Sequence, residues 1–345
     1  MKWLVAGLVL LILVAAGLGA AVWWAQQELQ RPVGGDSETI EVASGTSAAG
    51  ILSELERRGV LSNAFLTRLY LVHRLGDPSL KAGEYRFEEP ASAVDVLQRL
   101  IDGDVVTYRV TVIEGLTLAE TAEHLAIEGF GDVERFRDEM HGIERISDLD
   151  PRAKSLEGYL FPDTYHFARG TSEAAIVDSM VQAFRDRIEE LRATGALDGD
   201  SDVRELVTLA SIVEKEAAID DERPVIAGVY TNRLQRGIAL YADPTVIFAL
   251  KLAGTWDGNI RRPDLKIDSP YNTYRYPGLP PGPICSPGRA SLEAAARPAD
   301  VPYLYFVSRN DGSHVFARTL AEHNRNVDEW QRRYWRERWA RERGD

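Results

Sequence analysis

From Trp3 to Ala25 the chain carries no charged and no strongly polar side chain. A helix of about 23 such residues reaches roughly 34 Å, enough to cross the hydrocarbon core of a bilayer with some tilt. Trp3 at one end and Trp23-Trp24 at the other stand where an aromatic belt forms, and Lys2 ahead of the run favours an N-terminus on the cytoplasmic side. A cleaved signal peptide, cut near Gly17-Leu18-Gly19-Ala20, is the competing reading, but its apolar stretch is usually shorter, about 7–15 residues. The expectation is an uncleaved transmembrane anchor over 1–25, with the remainder outside the cytoplasm and the protein single-pass in the inner (plasma) membrane.

Residues 26–38, with Arg31-Pro32 and Gly34-Gly35, read as a juxtamembrane linker. Beyond it a local pattern occurs twice. Thr39–Val42 is strand-like, Gly45 turns, Ala49, Leu52 and Leu55 make a helix face, and Gly59 ends it. Arg109–Ile113, Gly115, then Leu118, Thr121, Ala122 and Leu125, and Gly129 repeat that order about 70 residues later. A second matched pair follows: Tyr85-x-Phe87 precedes Ser92 as Tyr165-x-Phe167 precedes Ser172, each serine opening a helical run. Strand, tight turn and amphipathic helix in this order resemble LysM modules, which bind N-acetylglucosamine-containing glycans. A generic α+β scaffold carries the same pattern. Small and acidic residues at 194–200 mark the expected end of this region, giving a repeated β-α region over 39–198 and a separate domain over 199–340. The tail from Trp330 reads as a solvated helix with an apolar stripe.

With 45% hydrophobic and 27% charged residues the body has the composition of a folded protein. Its net charge of −13 opposes nucleic-acid binding. The single cysteine, Cys285, rules out an intramolecular disulfide, and none of the six histidines forms an HExxH-like spacing, so neither metal nor cofactor is expected.

The segment Arg204–Ala217 has helical period. At about 100° per residue Leu206, Val207, Leu209, Ala210, Val213 and Ala217 share an apolar face, and Lys215 points away. Glu214 projects between Val207 and Ala210, and Glu216 between Leu209 and Ile212, so both glutamates border the buried face near the helix C-terminus. Burial and the negative end of the helix dipole each disfavour a carboxylate anion, and a carboxyl group that keeps its proton near neutral pH is what protonation of a glycosidic oxygen requires. Two edge glutamates reaching solvent, or one bridged to Lys215 or Arg223, is the structural alternative. Downstream, Tyr241-Ala242-Asp243-Pro244-Thr245 breaks and restarts the chain, Tyr271–Tyr274 suits stacking on and hydrogen bonding to a sugar, and Gly278–Ile284 is a stiff Pro/Gly loop fit for a groove wall.

Together, LASIVEKE at 209–216, TNRL at 231–234, ADPT at 242–245, YNTY at 271–274, GLPPGPI at 278–284, SPG at 286–288 and PYLYFV at 302–307 resemble the endolytic murein transglycosylases of the MltG/YceG-like family. Glu157-Gly158 through Pro162-Asp163-Thr164-Tyr165 resembles that family's EGxxxPDTY stretch. The resemblance implies an α+β protein: a single N-terminal transmembrane helix, LysM-like β-α units and a mixed catalytic domain. It further implies peptidoglycan glycan strands as substrate, cell-wall synthases as partners, endolytic cutting, and the first glutamate of the motif, Glu214, as catalytic residue, with Glu216 second. Tyr241, Asp243, Thr245, Asn272, Thr273, Tyr274, Gly282 and Ile284 are the expected substrate contacts. Where the family commonly has asparagine before the PG dipeptide, this chain has Ser286, which leaves open whether that side chain meets substrate.

A lytic transglycosylase asks one carboxyl group to protonate the leaving oxygen at C1 of N-acetylmuramic acid and then to deprotonate that sugar's C6 hydroxyl, closing a 1,6-anhydro ring. A hydrolytic muramidase would add a second carboxylate, Asp243 or Asp163. A non-catalytic glycan-binding scaffold would rest on the repeats alone. Cys285 as nucleophile is the weakest alternative, since a small residue in a Pro-rich loop serves as filler.

Overall fold

Helix α1 runs unbroken from Lys2 to Gln30, 29 residues with a mean hydropathy of 2.7 over its most apolar window. At roughly 44 Å it exceeds an approximately 30 Å hydrocarbon core, so it is long and apolar enough to cross a membrane and still enter the fold. The computed structural model describes residues 2–35, 39–336 and 338. Within them the segment expected to be a linker is structured. Leu29 is buried, the Glu28 carbonyl accepts from the Ser62 hydroxyl, and Val33 forms an antiparallel bridge with Ala91. Leu29, packed into the core past the tryptophans, ties this stretch to the fold.

The chain divides into two compact units, Met1–Arg109 with His166–Gly170, and Val110–Tyr165 with Thr171–Asp345. The boundary expected at 198/199 falls inside the second unit. Residues 194–202 only link two helices of one packed body, in which Arg289 reaches Glu190 and Arg297 donates to the Thr194 carbonyl at 2.6 Å.

In the first unit β1 (Thr39–Val42) pairs antiparallel with β2 (Gly83–Arg86), with Thr39 opposite Arg86. Helices α2 (Ala48–Arg57), α3 (Ala64–His73) and α4 (Ala93–Asp102) cover that ribbon. A two-stranded ribbon is only marginally stable alone. Burying Leu52, Leu55, Leu97 and Leu100 completely supplies the rest, at about 1.5–3 kcal/mol for each such side chain.

The same order, β-α-α-β-α, recurs as β3 (Tyr108–Thr111), α5 (Leu118–Ile127), α6 (Val133–Glu139), β4 (Thr164–Phe167) and α7 (Glu173–Ala193). The details match as well. Gly45 and Gly115 both turn with φ near +80°, as do Gly59 and Gly129 after the first helix of each set. Ser47 and Thr117 cap those helices, Ser92 and Ser172 the last ones. Tyr85 donates to the carbonyl of Lys81 at 2.8 Å and Tyr165 to that of Phe161 at 2.6 Å, four residues back in each case.

The second unit continues with α8 (Val203–Glu216), α9 (Arg223–Gln235), α10 (Asp243–Leu252), α11 (Arg289–Ala296), an antiparallel hairpin of β5 (Tyr305–Ser308) and β6 (His314–Ala317), and α12 (Leu320–Val327). Helix α8 is the hub: α9, α10 and α11 all pack against it, and its residues from Leu206 to Val213 are buried. The helical turn over 328–333 follows α12, and the expected tail helix beyond it falls largely outside the described residues.

Candidate active site

Asp202 caps α8, accepting from the Glu205 N–H at 3.2 Å. The helix delivers Glu214, Lys215 and Glu216 on its last turn, each into a different setting. Lys215 donates to the Gly115 carbonyl at 3.2 Å. Glu214 Oε1 accepts from Arg223 Nη1 at 3.2 Å, and its Oε2 accepts at 2.9 Å from the N–H of Gly288, the N-cap of α11. Arg223 also donates to Ser291 Oγ at 2.9 Å, and its own side chain is 13% exposed against 8% for Glu214. Through a guanidinium and a backbone N–H at a helix N-terminus, Glu214 joins α8, α9 and α11.

Glu216 has different neighbours. The Tyr230 hydroxyl of α9 donates to its Oε1 at 2.8 Å. Burial, and next the charge of Asp243, push its carboxyl up to about 7, against the pull of the Tyr230 hydrogen bond and Arg233. It opens onto a groove of about 460 Å³ lined by Tyr230, Arg233, Tyr241, Asp243, Tyr274 and Tyr305, among others. That volume lies in the range of small-molecule sites. Tyr274 donates to Asp243 Oδ1 at 2.6 Å, and the rings of Tyr241 and Tyr274 lie 5.1 Å apart. Arg233 is buried, donating to the carbonyls of Leu304 at 2.6 Å and Leu240 at 2.5 Å, with its guanidinium 5.1 Å from the Tyr305 ring. It thereby fixes the groove floor.

Tyr241 holds φ = 51°, a left-handed conformation that costs a non-glycine residue on the order of 1–3 kcal/mol. The surrounding hydrogen bonds over-determine it. Thr273 Oγ1 accepts from the Ala242 N–H at 3.0 Å and meets Thr245 Oγ1 at 2.9 Å, while Thr245 donates back to the Ala242 carbonyl at 2.7 Å. Asn272 donates to the carbonyls of Leu265 and Ile267 and accepts from the Tyr274 N–H. The ADPT and YNTY motifs thus lock one another, and the strained backbone presents the Tyr241 ring, 51% exposed, at the groove.

Of the expected substrate contacts, Tyr241, Asp243 and Tyr274 line this groove beside Glu216. Thr245, Asn272 and Thr273 are fully buried behind its wall. Gly282 and Ile284 are buried too: Ile284 N–H donates to Ser211 Oγ at 3.0 Å, and Gly282 lies against Arg204. Their loop packs on the EGxxxPDTY stretch, where a Cβ on Gly158 would come within 2.4 Å of Pro283. Asp163 immediately precedes β4, its carboxylate accepting from the Thr164 N–H. Cys285 is buried, its thiol pushed well up by burial, which fits a filler. Ser286 is buried with its backbone bonded to Gly115 and Leu116, and its Oγ has no hydrogen-bond partner among the described residues.

Sequence reasoning passes over Tyr230, Arg233, Tyr305 and His323. TNRL contains Arg233 and PYLYFV contains Tyr305, but only the folding of α9 and β5 beside α8 brings them to Glu216. It also passes over a second buried acid. Glu157 accepts from the Leu118 N–H through both oxygens at 3.1 Å, and burial raises its carboxyl to about 8.

A sequence model of the YceG-like family matches residues 40–329 of this chain. The chain belongs to the YceG-like family. An endolytic murein transglycosylase of Bacillus subtilis is 33% identical over 88% of both chains. One from Streptococcus pneumoniae is 30% identical over 84% of this chain and 58% of its own greater length. Among solved structures, a YceG-like protein of Listeria monocytogenes is 33% identical with a TM-score of 0.56, over 85% of this chain and 99% of that one. The YceG-like match takes in all of both β-α-α-β-α sets but Thr39, and the whole Glu216 groove.

Proposed function

We propose that this YceG-like protein is a membrane-anchored endolytic peptidoglycan transglycosylase, with Glu216, the second glutamate of its motif, as the acid/base. The observation that carries the assignment is the contrast between two carboxyl groups on one helical turn. Glu214 is occupied by Arg223 and the start of α11. Glu216 keeps a proton up to about pH 7 and faces an aromatic groove. The relatives' names supply the reaction class.

Glu216 gives its proton to the glycosidic oxygen leaving C1 of N-acetylmuramic acid, and the carboxylate then takes the proton of that sugar's C6 hydroxyl as the anhydro ring closes. Tyr230 holds the carboxyl group by one oxygen and leaves the other for this work. Tyr241 and Tyr274 offer faces for stacking on sugar rings. Asp243 in the same groove also suits a muramidase base, and the chain ends separate the two: anhydro for transglycosylation, free reducing for hydrolysis. The doubled β-α-α-β-α sets suit LysM-like glycan binding, and α1 suits a single-pass anchor that holds the groove outside the cytoplasm, near nascent strands and their synthases.

The test is substitution. Glu216→Gln keeps shape but not the transferable proton, and cutting should fall by about 10²–10⁴-fold or more with the melting temperature retained. Glu214→Gln removes a charge partner from Arg223, so its main loss should be stability. Full cutting by Glu216→Gln would refute the assignment.

A further inference from the structure

Helix α3 is apolar on faces that a helix of a water-surrounded unit keeps polar. Ala64, Thr67 and Leu71 point into the core of the first unit. On the other side Phe65, Leu69 and Val72, spaced to share one stripe, are 76%, 46% and 36% exposed, with Leu75 just beyond at 37%. An apolar stripe of this kind marks an interaction surface rather than a scattering of single residues.

Its neighbour says what covers it. A groove of about 610 Å³ is formed by Val22, Ala25 and Leu29 of α1 together with Leu66, Leu69 and Tyr70 of α3. Val22 and Ala25 close the uncharged run and flank Trp23 and Trp24, which are 63% and 54% exposed. Residues at the end of a spanning helix sit at headgroup level. Because α1 enters the first unit without a break and Leu29 is buried there, the α3 residues that share this groove sit at that level too. His73, Arg74, Gln26 and Gln30 on the groove rim supply polar partners for the headgroup zone.

We propose that the outer face of α3 is a second membrane contact, with Phe65, Leu69 and Val72 entering the boundary between headgroups and acyl chains beside the exit of α1. The occupant is the phospholipid leaflet itself. The first unit is then seated on the bilayer by two elements, which fixes its tilt as one helix alone does not. This rests on α1 being a membrane anchor.

The experiment uses the full chain in vesicles of phosphatidylethanolamine and phosphatidylglycerol. Cys285 is buried, so a single introduced cysteine takes an environment-sensitive label. Labels are placed at Phe65→Cys, Leu69→Cys, Leu13→Cys within α1, and Ser53→Cys, exposed on α2. Spin-labelled lipids then quench at shallow or deep positions. The 65 and 69 labels should shift to the blue and be quenched most by shallow lipids, at a depth of about 5–10 Å. The 13 label should be quenched most by deep lipids, and the 53 label should stay in water. Water-exposed, unquenched labels at 65 and 69 with a deeply quenched 13 overturn the α3 contact and leave the anchor standing; an unquenched 13 overturns both. Equal quenching at 53 overturns the assignment to this face. Blue-shifted labels at 65 and 69 that ignore lipid quenchers but follow protein density point to a second copy, and overturn the lipid assignment.

Discussion

Two acids, Glu216 and Glu157, keep their protons in the folded state well above the ordinary carboxyl range, at about 7 and about 8, because burial penalises their anions. A folded-state value above the unfolded one means that the native protein holds extra protons between about pH 4.5 and 8. Their stabilisation is full below that window and is lost as pH rises through it. The melting temperature should therefore fall between pH 5 and 8, and Glu157→Gln and Glu216→Gln should each flatten the fall. Cutting should decline on the alkaline side with a midpoint near 7, since Glu216 must begin protonated. A melting temperature that climbs steadily from pH 5 to 8 would contradict the protonated state of both. Which glutamate faces the groove was not legible in the sequence. Helical projection puts both at edges of one apolar face, and what separates them is Arg223, Gly288 and Tyr230, reached only when α9 and α11 fold back on α8.

At the scale of elements, the doubled pattern was legible because its signals are local: left-handed glycines after a strand, hydroxyl caps, and Tyr-x-Phe before a serine. The unit boundary was not. The small, acidic stretch at 194–200 has the composition of a domain linker, yet it only turns the chain from α7 to α8, and the division at 109/110 carries no such mark. If the two sets are equivalent, their matched tyrosine hydroxyls do equal work. Tyr85→Phe and Tyr165→Phe should each cost about 1 kcal/mol, the net worth of one hydrogen bond to a carbonyl, as read by denaturant unfolding. A large loss at one position with none at the other would show that the likeness stops at topology.

For the whole molecule, α1 continues without a break into the first unit, where Leu29 is buried. The proposed anchor needs the apolar run that precedes Leu29 in the same unbroken helix, so intact mass of membrane-extracted protein should retain residues 1–25. A mature form beginning near Ala20 would contradict the anchor. Glu216, set in the Tyr241–Asp243–Tyr274 groove, is the proposed residue that cuts glycan by ring closure. The most direct test is mass spectrometry of muropeptides released from purified glycan strands by the full-length protein and its Glu216→Gln and Glu214→Gln variants. The expected result is 1,6-anhydro ends from the parent, reduced but chemically identical ends from Glu214→Gln, and none from Glu216→Gln. Free reducing ends from the parent, or anhydro ends from Glu216→Gln at the parent's rate, would contradict it.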